Sequence, residues 1–157
     1  MSLNIGLTNE QLSGSIGILN QLLADEFTLY TKTRKYHWNV VGVQFHDLHK
    51  FFESLYGDLD EIIDEVAERT RALGGFAVAT LREISSTTAI KEEVGINPNQ
   101  TEMIQNLLAN HEQIIRELRQ DIDKVQDDFS DVGTADFLTG LLEKHEKTAW
   151  MLRSMLE

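Results

Sequence analysis

His49 and Glu53 stand four residues apart, and so do Asp64 and Glu68, within a stretch whose apolar residues recur at helical spacing. A four-residue step on a helix returns to the same face, so each pair projects two metal-binding side chains next to one another. Asp60 shares their row, and no Lys or Arg joins that row before Arg71. Like charges four apart repel by roughly a few tenths of a kcal/mol, so a line of carboxylates implies a cation held against it. The chain contains no cysteine, which excludes disulfides, zinc-thiolate sites and iron-sulfur clusters. A nitrogen- and oxygen-liganded ion remains: iron, manganese, zinc or magnesium.

Distance divides the row into two halves. Glu53 and Asp64 are eleven residues apart, which restores nearly the same angle but separates them by roughly 16 Å along the axis. One chain therefore cannot bring both pairs to one ion. A two-fold partner with the same helix running antiparallel would set His49 and Glu53 of one chain against Asp64 and Glu68 of the other, so the spacing proposes a site at a dimer interface. His37 follows Leu19 by a whole number of helical turns, which places it on the buried side of the preceding helix, and a loop can carry it back toward His49.

The remaining candidates have plainer readings. His111 and His145 lie within apolar stripes and are expected as hydrogen-bonded core residues; His46 is expected as a solvent or capping group. Trp38 and Trp150 are expected as core aromatics. No histidine has a Glu three residues before it, so the Glu-x-x-His pattern of a di-iron centre inside one bundle is absent.

Four long helices must position these groups. Apolar spacing from Leu12 to Tyr30, with Thr8 and Gln11 as a capping box, predicts a first helix over 8–39. Leu48 through Leu73 predicts a second over 46–73, ended by Gly74 and Gly75. Residues 76–97 lack long periodicity and read as a crossover with room for one short helix, which would let the second and third long helices run parallel. Pro98 suits a first helical turn, Ile104 through Val125 marks the third helix, and 127–133 breaks it. The fourth starts at about Thr134 and carries Leu138, Leu141, Leu142, Ala149, Leu152 and Leu156. The fold expected is an all-α four-helix bundle, one domain over 1–157 with 1–7 as a short extension.

Bulk properties agree. A chain of 157 residues with 41% hydrophobic content is the size of one domain with a real core. Its net charge of −12 repels nucleic acid and anionic membranes on average and concentrates cations. No apolar run is long enough for a membrane span, and no basic-then-apolar leader is visible, so the cytoplasm is the expected location.

Several segments together resemble one family: Lys35-Tyr36-His37-Trp38-Asn39-Val40, Phe45-His46-Asp47-Leu48-His49, Asp64-Glu65-Val66-Ala67-Glu68-Arg69 with Leu73-Gly74-Gly75, the stretch 131–137, and His145-Glu146-Lys147 through Trp150-Met151-Leu152. They are similar to the Dps proteins, small ferritin-like proteins named for protecting DNA in starved cells, and the likeness spans the chain from about residue 10. The resemblance implies a ferroxidase site shared across a two-fold interface, with His37, His49 and Glu53 from one subunit and Asp64 and Glu68 from its neighbour. It also implies a hollow dodecamer of roughly 215 kDa, oxidation of Fe(II) preferentially by hydrogen peroxide, and storage of Fe(III) mineral inside the shell. Trp38 would quench stray oxidising equivalents, and Asp127, Asp131 and Asp136 would line an ion pore.

Two departures matter. Position 53 is often Asp in the family and is Glu53 here, one methylene longer with the same charge. Strong DNA binders in the family carry a Lys/Arg-rich tail, whereas Met1 to Leu7 contains no basic residue, so DNA binding is expected to be weak or absent. The alternative reading is a DNA-compacting protein with secondary iron chemistry; a third is an acidic bundle that binds a protein partner without metal.

Overall fold

The computed structural model describes residues 3–157; of the expected extension 1–7, Met1 and Ser2 lie outside the described residues. The chain folds into five helices, α1 (Asn9–Asn39), α2 (Phe45–Ala72), α3 (Leu81–Thr87), α4 (Gln100–Asp127) and α5 (Val132–Ser154), with no strand among the described residues. The four long ones form the expected bundle. α1 packs along α2, and α4 along α5.

Local chemistry sets the helix ends. Thr8 accepts from the Gln11 amide while the Gln11 side chain accepts from the Thr8 amide, the expected capping box. The same device starts α3 at Thr80 and Glu83 and α4 at Asn99 and Glu102. Pro98, expected inside the first turn of α4, instead precedes it. Asn99 is the cap because its side-chain oxygen takes the Glu102 amide at 3.0 Å and the Glu102 carboxylate returns to the Asn99 amide at 2.9 Å. At the end of α2, Gly74 adopts φ +84°, which lets the Gly75 amide fold back to the Thr70 carbonyl at 3.1 Å.

The crossover between α2 and α4 is held by polar contacts to α1. Asn20 bonds the backbone of Phe76 and Val78. Buried Asp25 accepts from the Thr88 hydroxyl at 2.8 Å and from the Ala89 and Ile90 amides at 2.6 and 3.3 Å. Further along α1, the buried Lys32 ammonium donates to the Lys91 carbonyl at 3.1 Å and to Asn110 on α4 at 2.9 Å, and burial pushes its pKa down. Lys35 reaches the carbonyls of Glu93 and Ile96. The crossover thus climbs α1 from Asn20 to Lys35, toward its C-terminal end. It delivers α4 to the end where α2 begins, so α2 and α4 run parallel.

The core is a continuous column of side chains such as Leu19, Leu29, Phe52, Leu107, Leu118 and Leu138, all fully buried. Each is worth roughly 1.5–3 kcal/mol over its exposed state. Trp38 and Trp150 are not part of it. They are 64% and 61% exposed, because each lies off the buried stripe of its helix. The Arg34 guanidinium stacks on the Trp38 ring at 4.9 Å.

Candidate metal centre

The turn between α1 and α2 brings His37 and His49 together. Val40 is buried and caps α1 through its amide to the Tyr36 carbonyl at 2.9 Å. Gly42 then takes φ +123°, with the Gln100 side chain 3.0 Å from where a Cβ would sit. Only glycine meets both conditions without strain. The reversal lays the two imidazole rings face to face, 3.8 Å apart and 20° from parallel. Phe45 covers the other face of His49 at 5.2 Å, and the Tyr56 ring abuts His37 edge-on at 5.2 Å.

Their hydrogen bonds are reciprocal. His37 Nδ1 lies 2.7 Å from the His49 carbonyl, and His49 Nδ1 lies 2.9 Å from the His37 carbonyl. A carbonyl only accepts, so each Nδ1 carries the hydrogen and donates. In its neutral form each ring is thereby confined to the tautomer whose Nε2 keeps its lone pair, the form in which imidazole ligates a metal. The pairing also locks the ring orientations before any ion arrives.

Glu53 follows one turn later. Within the single chain it pairs with Lys50 at 2.7 Å. The Lys50 ammonium holds the Glu53 carboxyl below the usual carboxylate range, and the imidazoles of His37 and His49 act in the same direction. Asp64 and Glu68 are exposed on the same helix, roughly 16 and 22 Å along α2 from Glu53. Among the described residues, no group of three or more His, Asp or Glu side chains of one chain is arranged so that it could hold a metal ion. The structure therefore joins His37 and His49, leaves Glu53 beside them on an exposed ion pair, and keeps Asp64 and Glu68 apart.

The aspartates assigned to a pore divide. Asp127 ends α4 and Asp136 lies on α5, both exposed. Asp131 is buried and caps α5. Its carboxylate accepts from the Thr134 amide at 3.0 Å and hydroxyl at 2.6 Å and pairs with Arg69 at 3.3 Å. Burial alone would raise its pKa, but the Thr134 bonds and the Arg69 charge outweigh burial and hold it below the usual range. Those contacts occupy it, so it is no free pore ligand. Asp131→Ala is expected to destabilise the fold by about 2–3 kcal/mol, combining a lost cap with an abandoned Arg69; chemical denaturation measures this.

Sequence reasoning passed over Glu26, His145 and His111 as a group. Glu26 Oε1 meets His145 Nε2 at 2.7 Å, and the Nδ1 atoms of His145 and His111 are 2.8 Å apart, all inside the core. The signal was present: Glu26 interrupts the stripe from Leu19 through Leu22 and Leu23 to Leu29, His111 lies between Leu107 and Ile114, and His145 between Leu141 and Ala149. Burial first, then the neighbouring His145, holds the His111 imidazole well below the usual histidine range. The unfolded chain takes up a proton near pH ~6.5 that the folded chain refuses. Stability is thus complete above that value and falls as pH drops below it toward the depressed native one. In metal-free protein, His111→Asn is expected to flatten this loss between about pH 6.5 and 5, as read from thermal melts across that range.

The family model for the ferritin-like domain matches residues 16–157. The chain belongs to the ferritin-like family, on its Dps branch. It is 52% identical to a low temperature-induced protein of Nostoc, over 99% of this chain and 87% of that one. Among solved structures, DpsC from Streptomyces coelicolor superposes with a TM-score of 0.95 at 32% identity, covering 100% of this chain and 91% of that one. A Dps protein from Vibrio cholerae, described as one of the ferritin-like diiron-carboxylate proteins, gives 0.92 at 30% identity, covering 100% and 98%. This Dps-branch chain has no helix among its described residues long and apolar enough to cross a membrane.

Proposed function

We propose that this protein is a ferroxidase and iron store whose oxidation site forms between two subunits, with His37, His49 and Glu53 from one and Asp64 and Glu68 from the other. The observation that carries this reading is the reciprocal Nδ1 pairing of His37 and His49, which leaves two Nε2 lone pairs ready on stacked rings. Membership of a family that includes a diiron-carboxylate protein supports iron as the substrate.

The ligand types set the direction of the chemistry. Imidazole accommodates Fe(II), and the three carboxylates offset the extra charge of Fe(III), so oxidation is favoured where both kinds meet. Glu53 turns from Lys50 toward the ion, a short swing for an exposed side chain. Hydrogen peroxide accepts one electron from each of two ferrous ions, and its O–O bond breaks to give two hydroxides. Neither ion then reduces peroxide alone, and hydroxyl radical is not released. Trp38, adjacent in sequence to His37 and exposed, is placed to absorb an oxidising equivalent that escapes. Ferric product collects as mineral in the acidic interior of a dodecamer, with Asp127 and Asp136 at the ion pore.

Iron oxidation followed by absorbance after anaerobic addition of Fe(II) and peroxide tests this. A ferric core is expected, and His49→Ala with Asp64→Ala should abolish it; an unchanged rate in that double variant sinks the proposal. With net charge −12, DNA affinity should be weak at physiological salt. A gel shift shows whether it is.

A further inference from the structure

From Tyr36 to Glu68, the span that carries all five candidate ligands, the sequence holds eight Asp or Glu residues and a single Lys or Arg, which is Lys50. The basic residues on either side of that span are engaged elsewhere. Arg34 lies over the rings of Tyr30, Trp38 and Tyr56, and Lys35 bonds carbonyls of the crossover. Arg69 is held by Asp131 and Thr134, and Arg71 by the Gly75 carbonyl. Lys50 turns instead to a candidate ligand. Its ammonium lies 2.7 Å from Glu53 Oε2, nearly one helical turn on. Among the described residues, Asp64 and Glu68 have no cationic partner of this kind.

This contact is built to exchange. Both side chains stand largely in water, at 60% and 43% exposure, and an exposed ion pair between residues three apart adds little to helix stability. Between two chains it matters more. Before any ion binds, Glu53 of one chain and Asp64 and Glu68 of the other bring three negative charges beside two neutral imidazoles, and like charges set together across an interface repel. The Lys50 ammonium offsets one of them. An arriving divalent ion needs the same carboxylate, and an ammonium and a metal ion held on one carboxylate repel each other. Lys50, on a flexible four-carbon stem, is the one that can swing away.

We infer that Lys50 is the resident counter-ion of the oxidation site: it holds Glu53 in the metal-free protein and is displaced from it by Fe(II). The inference rests on the intersubunit reading above and adds a regulator to it. Tethering sets the selectivity. A monovalent ion in solution meets a competitor fixed one turn away at high local concentration, and it gains no charge by replacing an ammonium. Fe(II) brings twice the charge and also engages the Nε2 atoms of His37 and His49, so it displaces Lys50 where a monovalent ion does not. The consequence falls on affinity. Fe(II) must separate the ion pair before Glu53 can turn, so iron binds less tightly than the ligands alone would hold it, and the difference shrinks as salt screens the pair.

Calorimetric titration of assembled, metal-free protein with Fe(II), anaerobically and without peroxide, reads binding apart from oxidation. Lys50→Met is expected to bind Fe(II) about two- to fivefold more tightly than the unaltered protein at low ionic strength, with the gain gone by about 0.5 M salt. Lys50→Arg keeps the charge and should bind no more tightly than the unaltered protein. Lys147→Met removes the same charge from an exposed position on α5 and should change nothing; an equal gain there is an effect of net charge and overturns the inference. Unchanged or weaker binding in Lys50→Met also overturns it, and leaves the intersubunit site standing if His49→Ala with Asp64→Ala abolishes binding. Should that double variant bind Fe(II) as the unaltered protein does, the intersubunit reading itself fails and Lys50 is only a surface ion pair.

Discussion

Chains bearing His49→Ala and chains bearing Asp64→Ala, each inactive alone, are expected to recover about a quarter of the normal iron-oxidation sites when co-expressed. In a dimer of two His49→Ala chains, both sites lack an imidazole; in a dimer of two Asp64→Ala chains, both lack a carboxylate. A mixed dimer differs. One of its sites combines the two lesions, while the other takes an intact His37, His49 and Glu53 from one chain and an intact Asp64 and Glu68 from the other. Random pairing makes about half of the dimers mixed, and one site in each is whole. The initial rate of ferric absorbance per subunit measures the recovery. A site built within one chain predicts no recovery at all, because every chain carries a lesion. Full activity in either single variant would show that the residue altered is no ligand.

The sharpness of that outcome rests on α2 being one rigid helix. His49 and Glu68 are nineteen residues apart on it, and Leu48, Phe52, Leu55, Leu59, Ile62 and Val66 bury one stripe along its whole length. No bend can return Asp64 to His49 in the same chain. The same stripe made the helix readable from sequence: period fixed the buried side, and the acidic row followed as its neighbour. The caps of α1 and α4 were readable or nearly so, since side chains three residues apart suffice to form them.

What was hidden depended on contacts between distant segments. Residue type argued that Trp38 and Trp150 are buried, yet both are exposed, because a tryptophan at the edge of a helix stripe can be covered only by something outside its own bundle. The reciprocal bonds between His37 and His49 need the reversal at Gly42, a backbone event with no periodic signature. Glu26, His111 and His145 were visible singly as breaks in three stripes. Their meeting required the register between helices separated by up to 119 residues. Asp131 was expected at an ion pore, and its buried capping role rests on Thr134 together with Arg69, which arrives from α2.

The crossover is the clearest case, and Asp25→Ala should unfasten it, costing about 3–4 kcal/mol. Residues 76–97 carry no long apolar period, so packing alone does not hold them. Instead one buried carboxylate gathers the Thr88 hydroxyl and the amides of Ala89 and Ile90, and its second oxygen takes Gln21 at 2.9 Å. Bonds to a charged acceptor contribute roughly 1.5–3 kcal/mol each, less than additively, and removing the acceptor strands the buried donors. Asp25→Asn keeps one acceptor oxygen and should cost about half as much. Hydrogen exchange gives the local signature: the Ala89 and Ile90 amides should exchange far faster in Asp25→Ala, while amides of α2 change little at temperatures below the melt. Iron oxidation should persist under those conditions, since the turn that pairs His37 with His49 lies beyond the anchor. If both amides stay protected and denaturation shifts by less than about 1 kcal/mol, the crossover is held by Asn20, Lys32 and Lys35 instead.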